Sequence, residues 1–81
     1  MTDNTEKLSD VDFKRELAAL IPHLRAFARS LCGDATLADD LAQDAMLKAW
    51  NARASFQAGT NMKAWAFTIL RNVFYSEKRR S

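Results

Sequence analysis

The chain has 81 residues, 48% of them hydrophobic, with two glycines, one proline and a net charge of +2. This composition favours one small helical domain and argues against a disordered chain or a turn-rich β-sandwich. Cys32 is the only cysteine, which excludes an internal disulfide and a cysteine-based zinc site of the usual kind, and we expect a reducing, cytoplasmic setting. No apolar run approaches the length of a membrane span, and the polar start of the chain does not resemble a signal peptide.

The charges are segregated along the chain. Residues 34–51 carry four acidic side chains and one basic one, whereas residues 61–81 carry five basic side chains and one acidic one. An acidic segment and a basic segment therefore share one small domain, which is more informative than the small net charge.

The first predicted helix begins at Ser9, whose hydroxyl is a good acceptor for the free amides of a first turn. Residues 1–9 show no apolar period, so we expect a disordered tail there and one folded domain over residues 10–81. An apolar stripe then continues to Gly33, a good left-handed stop. Pro22 interrupts this stripe because it has no backbone N–H to donate. Either the helix kinks at Pro22 or a second helix starts there, and we favour a single kinked helix.

The second predicted helix runs from a cap at Asp34 or Thr36 to about Ala52, without internal glycine or proline. Its periodicity places an apolar arc on one side and a polar arc on the other. The apolar arc consists of Leu37, Ala38, Leu41, Ala42, Ala45 and Ala49, and the polar arc of Asp39, Asp40, Gln43, Asp44, Lys48 and Asn51. Leu47 and Trp50 project on the polar side, and apolar side chains amid acids indicate a docking surface.

The segment from Arg53 to Thr60 loses the helical period, and Gly59 permits a positive φ, so we predict a loop that ends at Asn61 as the next N-cap. The last predicted helix runs from Met62 to about Arg79 and has an apolar face anchored by tryptophan and leucine. Its opposite face carries Thr68, Arg71, Asn72, Tyr75, Lys78 and Arg79. Positive charge, an amide and an aromatic ring on one face can hold phosphates and stack on bases.

No catalytic constellation is present, since the chain lacks a nucleophile elbow, a phosphate-binding glycine loop and a zinc motif. We therefore expect that the chain has no enzymatic activity and binds neither a metal ion nor a cofactor. His23 is interpreted as an ordinary surface or boundary residue, and Cys32 as a small buried apolar side chain. Taken alone, the acidic and basic faces are also explained as solvated surface, because a helix C-terminus favours Lys and Arg through its dipole.

Three segments occur together in a characteristic order and spacing. The first is Gly33-Asp34 followed by Ala38-Asp39-Asp40-Leu41-Ala42-Gln43-Asp44 and continuing to Trp50. The second is Phe56-Gln57-Ala58-Gly59-Thr60-Asn61. The third is Ala64-Trp65-Ala66-Phe67-Thr68-Ile69-Leu70-Arg71-Asn72, with Arg79-Arg80 beyond it.

Together these segments resemble region 2 of the extracytoplasmic-function sigma factors, over roughly residues 13–80. The sequence from residue 56 to residue 72 is most similar to the alphaproteobacterial general stress response subgroup, whose members are regulated by a small anti-sigma protein. Two positions depart from the pattern, because Ala66 replaces a usual leucine and Ala58 a frequent proline. The resemblance implies an all-α fold of the sigma region 2 type, with three main helices and the first helix kinked or split at Pro22. The helix-turn-helix domain of such factors, region 4, is expected to lie outside this chain.

The resemblance also implies two binding surfaces. The polymerase-binding residues, which would meet the coiled-coil clamp helices of the β′ subunit of core RNA polymerase, are Asp39, Asp40, Gln43, Asp44, Leu47 and Trp50. The DNA-binding residues, which would receive a flipped base and the phosphates of the non-template strand of the minus-ten promoter element, are Phe56, Gln57, Gly59, Thr60, Asn61, Lys63, Arg71, Asn72, Tyr75, Lys78, Arg79 and Arg80. We expect a monomer that also binds an anti-sigma factor.

Two other functions fit parts of the pattern. A sigma-like mimic would bind an anti-sigma factor without DNA, but it would not need the basic last helix and the polar loop. A free-standing helix-turn-helix repressor needs a short turn and a recognition helix, and the eight-residue loop and the acidic second helix argue against it.

Overall fold

The computed structural model describes residues 9–57 and 59–80. The elements follow in the order α1 (Asp10–Ala19), α2 (Ile21–Cys32), α3 (Ala35–Asn51), a 3₁₀ turn (Arg53–Ser55) and α4 (Met62–Arg80). No strand occurs in these described residues, so the predicted all-α fold is confirmed. Residues 1–8 of the expected disordered tail lie outside the described part, and Ser9 is the N-cap of α1. No helix over the described ranges is long and apolar enough to cross a membrane.

The first apolar stripe forms two helices and not a single kinked one. α1 ends at Ala19, and the N–H of Leu20 turns back to the carbonyl of Leu17 at 3.0 Å. α2 then begins at Ile21 with Pro22 in its first turn. Proline is favoured at that position, because the first N–H groups of a helix have no intrahelical partner to lose. The preferred single kinked helix is therefore wrong, and the alternative of a second helix with Pro22 in its first turn is right.

The other predicted helix ends are confirmed by their caps. Ser9 Oγ accepts a hydrogen bond from the N–H of Asp12 at 3.1 Å. Of the two candidates for the start of α3, Asp34 is the cap, and its Oδ1 accepts from the N–H of Leu37 at 3.0 Å. Gly33 ends α2 in the left-handed region at φ 74°. The segment after α3 differs in part from the prediction, because its first three residues form the 3₁₀ turn.

The core lies where α2, α3 and α4 meet, and α1 closes one end of it. Leu24 of α2 and Leu70 of α4 are fully buried. The surface of α3 that packs against them is lined by four alanines, none more than 3% exposed, which are Ala38, Ala42, Ala45 and Ala49. Their short side chains allow α3 to lie close to both neighbouring helices. Leu37, expected on this buried arc, is 45% exposed because it lies at the margin of a shallow groove beside Phe74.

An aromatic cluster joins α1 to the rest of the bundle. The ring of Phe13 lies 6.2 Å from that of Trp50, 5.7 Å from Phe56 and 5.8 Å from Trp65, measured between centroids. Phe56 and Trp65 are also in contact, with centroids 5.0 Å apart. Edge-on and tilted pairs of this kind are favourable beyond the area they bury. The cluster fixes both ends of the segment that connects α3 to α4.

Candidate protein-binding and nucleic-acid-binding surfaces

The acidic side chains of α3 differ in how far their charge is already neutralised. Asp39 forms an ion pair with Arg25 of α2 at 3.3 Å, and both side chains are about half exposed. Asp40 and Asp44 are exposed and form no ion pair with any described residue. These two carboxylates are therefore the ones available to a basic partner, whereas Asp39 would first have to leave Arg25.

A groove runs along one side of the polar arc, between α1 and α3. It has a volume of about 440 Å³ and is mainly apolar, and its lining includes Lys14, Ala18, Gln43, Met46 and Leu47. Leu47 is 60% exposed, so a large apolar side chain stands at the rim without a covering neighbour. The combination of an exposed leucine and an apolar groove is suited to an apolar partner side chain.

The sequence pattern predicts that Trp50 projects freely from the polar arc, but in the structure it does not. Its side chain is half-buried, since its ring contacts that of Phe13 and the guanidinium of Arg53 lies over it, 3.9 Å from the ring centroid. Only part of the ring lines the groove between α1 and α3. The isolated helical period could not show this, because the covering residues come from α1 and from the 3₁₀ turn.

A second groove lies on the other side of the polar arc, between α3 and α4. Its volume is about 520 Å³, and Asp44 and Lys48 of α3 face Asn72 and Ser76 of α4 across it. Asn72, assigned to the DNA-binding residues, therefore lies beside an acid of the polymerase-binding set. On α4 it is about 100° away from Arg71, so the two side chains occupy different sides of the helix.

Phe56 is not available to DNA. Phe56 is 6% exposed, and its ring packs edge-on against Phe13 and in a tilted arrangement against Trp65. A buried aromatic ring between three elements is an anchor of the core, so the structure gives no support to the assignment of Phe56 to the DNA-binding residues. The sequence pattern missed this because Phe56 lies outside any helical period.

Gln57 and residues 59–61 form a polar turn. The backbone N–H and the hydroxyl of Thr60 both donate to the carbonyl of Gln57, at 3.1 and 2.6 Å. Gly59 has φ 93°, a conformation that side chains other than glycine rarely adopt. Asn61 caps α4, with its Oδ1 accepting from the N–H of Ala64 at 3.1 Å, as predicted. Gln57, Thr60 and Asn61 are all exposed.

These hydrogen bonds decide what the turn can still offer to a ligand. Asn61 Oδ1 is used by the cap, so its amide NH₂ remains as a donor. The Thr60 hydroxyl already donates to Gln57, so it can only accept a further hydrogen bond. The side-chain amide of Gln57 makes no hydrogen bond to a described residue and can both donate and accept.

The exposed face of α4 is basic, as expected. Arg71 and Arg79 are exposed and form no ion pair with any residue the structure describes. The ammonium groups of Lys63 and Lys78 lie 5.8 and 5.9 Å above the rings of Phe67 and Phe74. Tyr75 is 50% exposed between these charges. The side chain of Arg80, a predicted phosphate contact, lies outside the described part.

Two features of these surfaces have no local signal in the sequence. Lys14 and Ala18 line the first groove only because α1 packs against α3. Arg53 has no role in the sequence prediction, yet its side chain fastens the 3₁₀ turn to α1 and α3. Among the described residues, no group of three or more metal-ligating side chains could hold a metal ion.

Comparison with known proteins identifies the family. Residues 17–81 match the family model for sigma-70 region 2. The chain is 52% identical over 65 residues to the ECF RNA polymerase sigma factor EcfG of Rhodopseudomonas palustris, covering 80% of this chain and 36% of EcfG. It is 35% identical over 54 residues to the ECF RNA polymerase sigma factor SigL of Mycobacterium tuberculosis, covering 65% of this chain and 30% of SigL.

A solved structure supports the same assignment. The sigma factor RpoE from Bartonella quintana, crystallised in complex with the anti-sigma factor NepR, is 55% identical and superposes with a TM-score of 0.79. The match covers 85% of this chain and 43% of RpoE. This chain thus spans about a third of the length of the curated relatives it matches, which are covered to 36% and 30%. The chain belongs to the sigma-70 region 2 family, and the relatives it matches include extracytoplasmic-function sigma factors, among them the alphaproteobacterial general stress response type.

Proposed function

We propose that this chain binds the β′ clamp helices of core RNA polymerase through α3, and that the polar turn and the exposed face of α4 bind the non-template strand of the minus-ten promoter element. The observation that carries this proposal is a pair of adjoining surfaces with opposite charges that no described residue neutralises. Asp40 and Asp44 form one of them, and Arg71 and Arg79 belong to the other. The proposed place of action is the bacterial cytoplasm.

Docking on the clamp would combine charge and apolar area. Asp40 and Asp44 supply orientation and a faster encounter with a basic partner, since complementary charges act mainly on association and specificity. Leu47 supplies apolar area that loses its water on binding, and it is the most exposed large apolar side chain of α3. Trp50 contributes only the part of its ring that lines the groove beside α1. Asp39 contributes less because Arg25 already neutralises it.

Promoter melting requires a site that compensates for unstacking a base. Extruding a base costs a few kcal/mol, which a fitted pocket with polar partners must return. The turn offers one donor on Asn61, one acceptor on Thr60 and both on Gln57, all on exposed side chains. Such groups can read the edge of a single unpaired base.

The basic face of α4 would hold the strand that leaves the turn. Lys63 lies in the first turn of α4, two residues after Asn61. Arg71 and Lys78 follow along the helix at intervals of about two turns. A row of cations along a helix follows a phosphate backbone without reading its sequence. The half-exposed ring of Tyr75 can stack on a base.

A small anti-sigma protein is the proposed regulator. The structural relative RpoE was crystallised with the anti-sigma factor NepR. A protein that covers either groove of α3 would compete with core polymerase for the same side chains. A mimic that only sequesters an anti-sigma factor would need neither the exposed cations of α4 nor the polar turn.

A reconstitution with core RNA polymerase tests the function. The chain is bound to core polymerase, a library of randomised single strands is added, and strands retained by the complex are sequenced after several rounds. We expect the chain to bind core polymerase and to enrich one short motif, which core polymerase alone does not enrich. Binding of an anti-sigma protein without binding of core polymerase would identify the mimic instead.

A further inference from the structure

The side chain of Arg53 connects the 3₁₀ turn, which precedes the polar turn, to α1 and α3. Its Nε donates to Asp10 Oδ1 of α1 at 3.0 Å, and its Nη1 donates to the backbone carbonyl of Trp50 at 2.9 Å. Its guanidinium carbon lies 3.9 Å from the centroid of the Trp50 ring. The side chain is 34% exposed, in contrast to the more open arginines of the other two ion pairs.

This arrangement uses the specific geometry of arginine. A planar guanidinium can lie flat on an indole ring while its N–H groups point outward, in the plane of the guanidinium, to two different acceptors. The ammonium group of lysine is a point charge and cannot make all three contacts at once. An exposed ion pair alone would contribute little, so the three contacts together distinguish Arg53 from an ordinary surface arginine.

The backbone of Arg53 leads directly to the polar turn. Its carbonyl accepts a hydrogen bond from the N–H of Phe56 at 3.1 Å, and Phe56 is the buried anchor against Phe13 and Trp65. The other end of the turn is fixed by Asn61 as the cap of α4. Only residues 57–60 lie between these two fixed points, so the position of Phe56 determines where the turn stands.

We propose that Arg53 is a positioning residue for base reading, which holds the polar turn of residues 57–61 in place by fastening the 3₁₀ turn to Trp50 of α3 and Asp10 of α1. This inference rests on the proposed function of the turn. Within the chain, Arg53 already uses its Nε N–H, one N–H of Nη1 and one face of its guanidinium.

The test compares Arg53→Ala and Arg53→Lys with Arg15→Ala. Arg15 is the matched control, since it also loses one positive charge and one ion pair with an acid of α1, Asp12, but contacts no aromatic residue of the cluster. Each variant, bound to core polymerase, is titrated with the enriched strand and with a scrambled strand at several salt concentrations. Backbone order parameters of Gly59 and Asn61 are measured by NMR in the free chain, and melting temperatures are recorded.

For Arg53→Ala we expect the affinity ratio between the enriched and the scrambled strand to fall by about tenfold, equivalent to about 1.4 kcal/mol. The salt dependence should be unchanged, and the order parameters of Gly59 and Asn61 should fall. Arg53→Lys should behave like Arg53→Ala, because charge without the planar fork does not restore the contacts. Arg15→Ala should match the wild type in all three readouts.

Three outcomes would overturn the inference. An unchanged affinity ratio with a lower melting temperature would make Arg53 merely structural. Equal losses for both strands with a smaller salt slope would make it a phosphate contact. Restoration of the affinity ratio by lysine would reduce the role of Arg53 to its charge.

If Arg53→Ala does not fold, Asp10→Asn removes the ion pair alone and is measured in the same way. A wild-type chain without strand preference would contradict the proposed function itself, and the order parameters alone would then decide whether Arg53 holds the turn.

Discussion

Asp44 of α3 and Asn72 of α4 line the same groove, although the sequence assigns one to a protein partner and the other to DNA. The two proposed surfaces therefore meet along this groove and do not lie on opposite sides of the domain. A polymerase subunit bound to α3 would stand next to the strand bound along α4. Under the proposed function, this adjacency would place the strand between the domain and its larger protein partner.

Reversing the charge of Asp44 should weaken binding to core polymerase. Asp44→Arg places a cation where a basic clamp surface is expected, and we expect the dissociation constant to rise by at least about tenfold, or about 1.4 kcal/mol. Because Asp44 is exposed and unpaired among the described residues, the melting temperature should not change. Biolayer interferometry with immobilised core polymerase measures the effect. Glu16→Arg is the control, since Glu16 is exposed on α1 on the side away from Lys14.

The two exposed leucines of α3 provide a second, matched test. Leu47 is 60% exposed and lies at the groove beside α1, whereas Leu37 is 45% exposed near the start of the helix. Leu47→Ala should weaken binding to core polymerase by about 1–2 kcal/mol because it removes apolar area from the proposed interface. Leu37→Ala should have little effect in the same assay. Equal effects of the two substitutions would show that Leu47 has no special role in docking.

The core of α3 should not tolerate larger side chains. Ala49 is 0% exposed, and Ala49→Leu inserts extra carbon atoms between packed helices, so we expect a loss of about 1–3 kcal/mol in unfolding free energy. Ala26→Leu on the exposed face of α2 should change the unfolding free energy by less than about 0.5 kcal/mol. Urea unfolding followed by circular dichroism measures both. A tolerated Ala49→Leu would mean that α3 packs more loosely than its buried alanines indicate.

The sequence predicts those parts of the fold that depend on local signals. Ser9, Gly33 and Asn61 each act within one turn of a helix, so their roles as caps and stop follow from residue type and spacing. Pro22 left two outcomes open, because its ring and missing N–H are compatible both with a kinked helix and with a new first turn. Only the packing of α1 against the aromatic cluster distinguishes them.

The sequence fails where burial depends on a distant segment. Phe56 and Trp50 were both predicted to be available to partners, and both contact Phe13, which lies more than 35 residues earlier in the chain. Neither contact has a local signature, since it requires α1 to cross the end of α3. The role of Arg53 has no local signature either, because its ion-pair partner Asp10 is 43 residues away in the chain.

Removing one cation from α4 should weaken strand binding without changing sequence preference. Arg71 is exposed and unpaired among the described residues, so Arg71→Ala should reduce affinity about equally for the enriched and the scrambled strand. The slope of log K against log salt should decrease by about 0.7 for one lost contact with a single strand. Fluorescence anisotropy of labelled strands on the polymerase-bound chain measures both quantities. A selective loss for the enriched strand would assign Arg71 to base reading.

Substitutions of Asn61 should separate its two roles, because the structure uses one end of its amide and leaves the other free. Oδ1 caps α4 through the N–H of Ala64, and the NH₂ group remains available to a base. Asn61→Ser keeps a cap but loses the amide donor, so we expect an unchanged melting temperature and a loss of about 1–3 kcal/mol in preference for the enriched strand. Asn61→Ala should show the same loss of preference together with about 1 kcal/mol less unfolding free energy, since α4 then lacks its cap.

The comparison of these two variants decides the role of Asn61 in a way that neither can alone. Anisotropy titrations with the enriched and scrambled strands give the preference, and urea unfolding gives the stability of each variant. The salt dependence should stay at the wild-type value in both, because neither substitution removes a charge. If Asn61→Ser retains the full preference and only Asn61→Ala loses it, then Asn61 acts by capping α4 and the base is read by other groups of the turn. The side-chain amide of Gln57 would be the next candidate, since it is exposed and can both donate and accept.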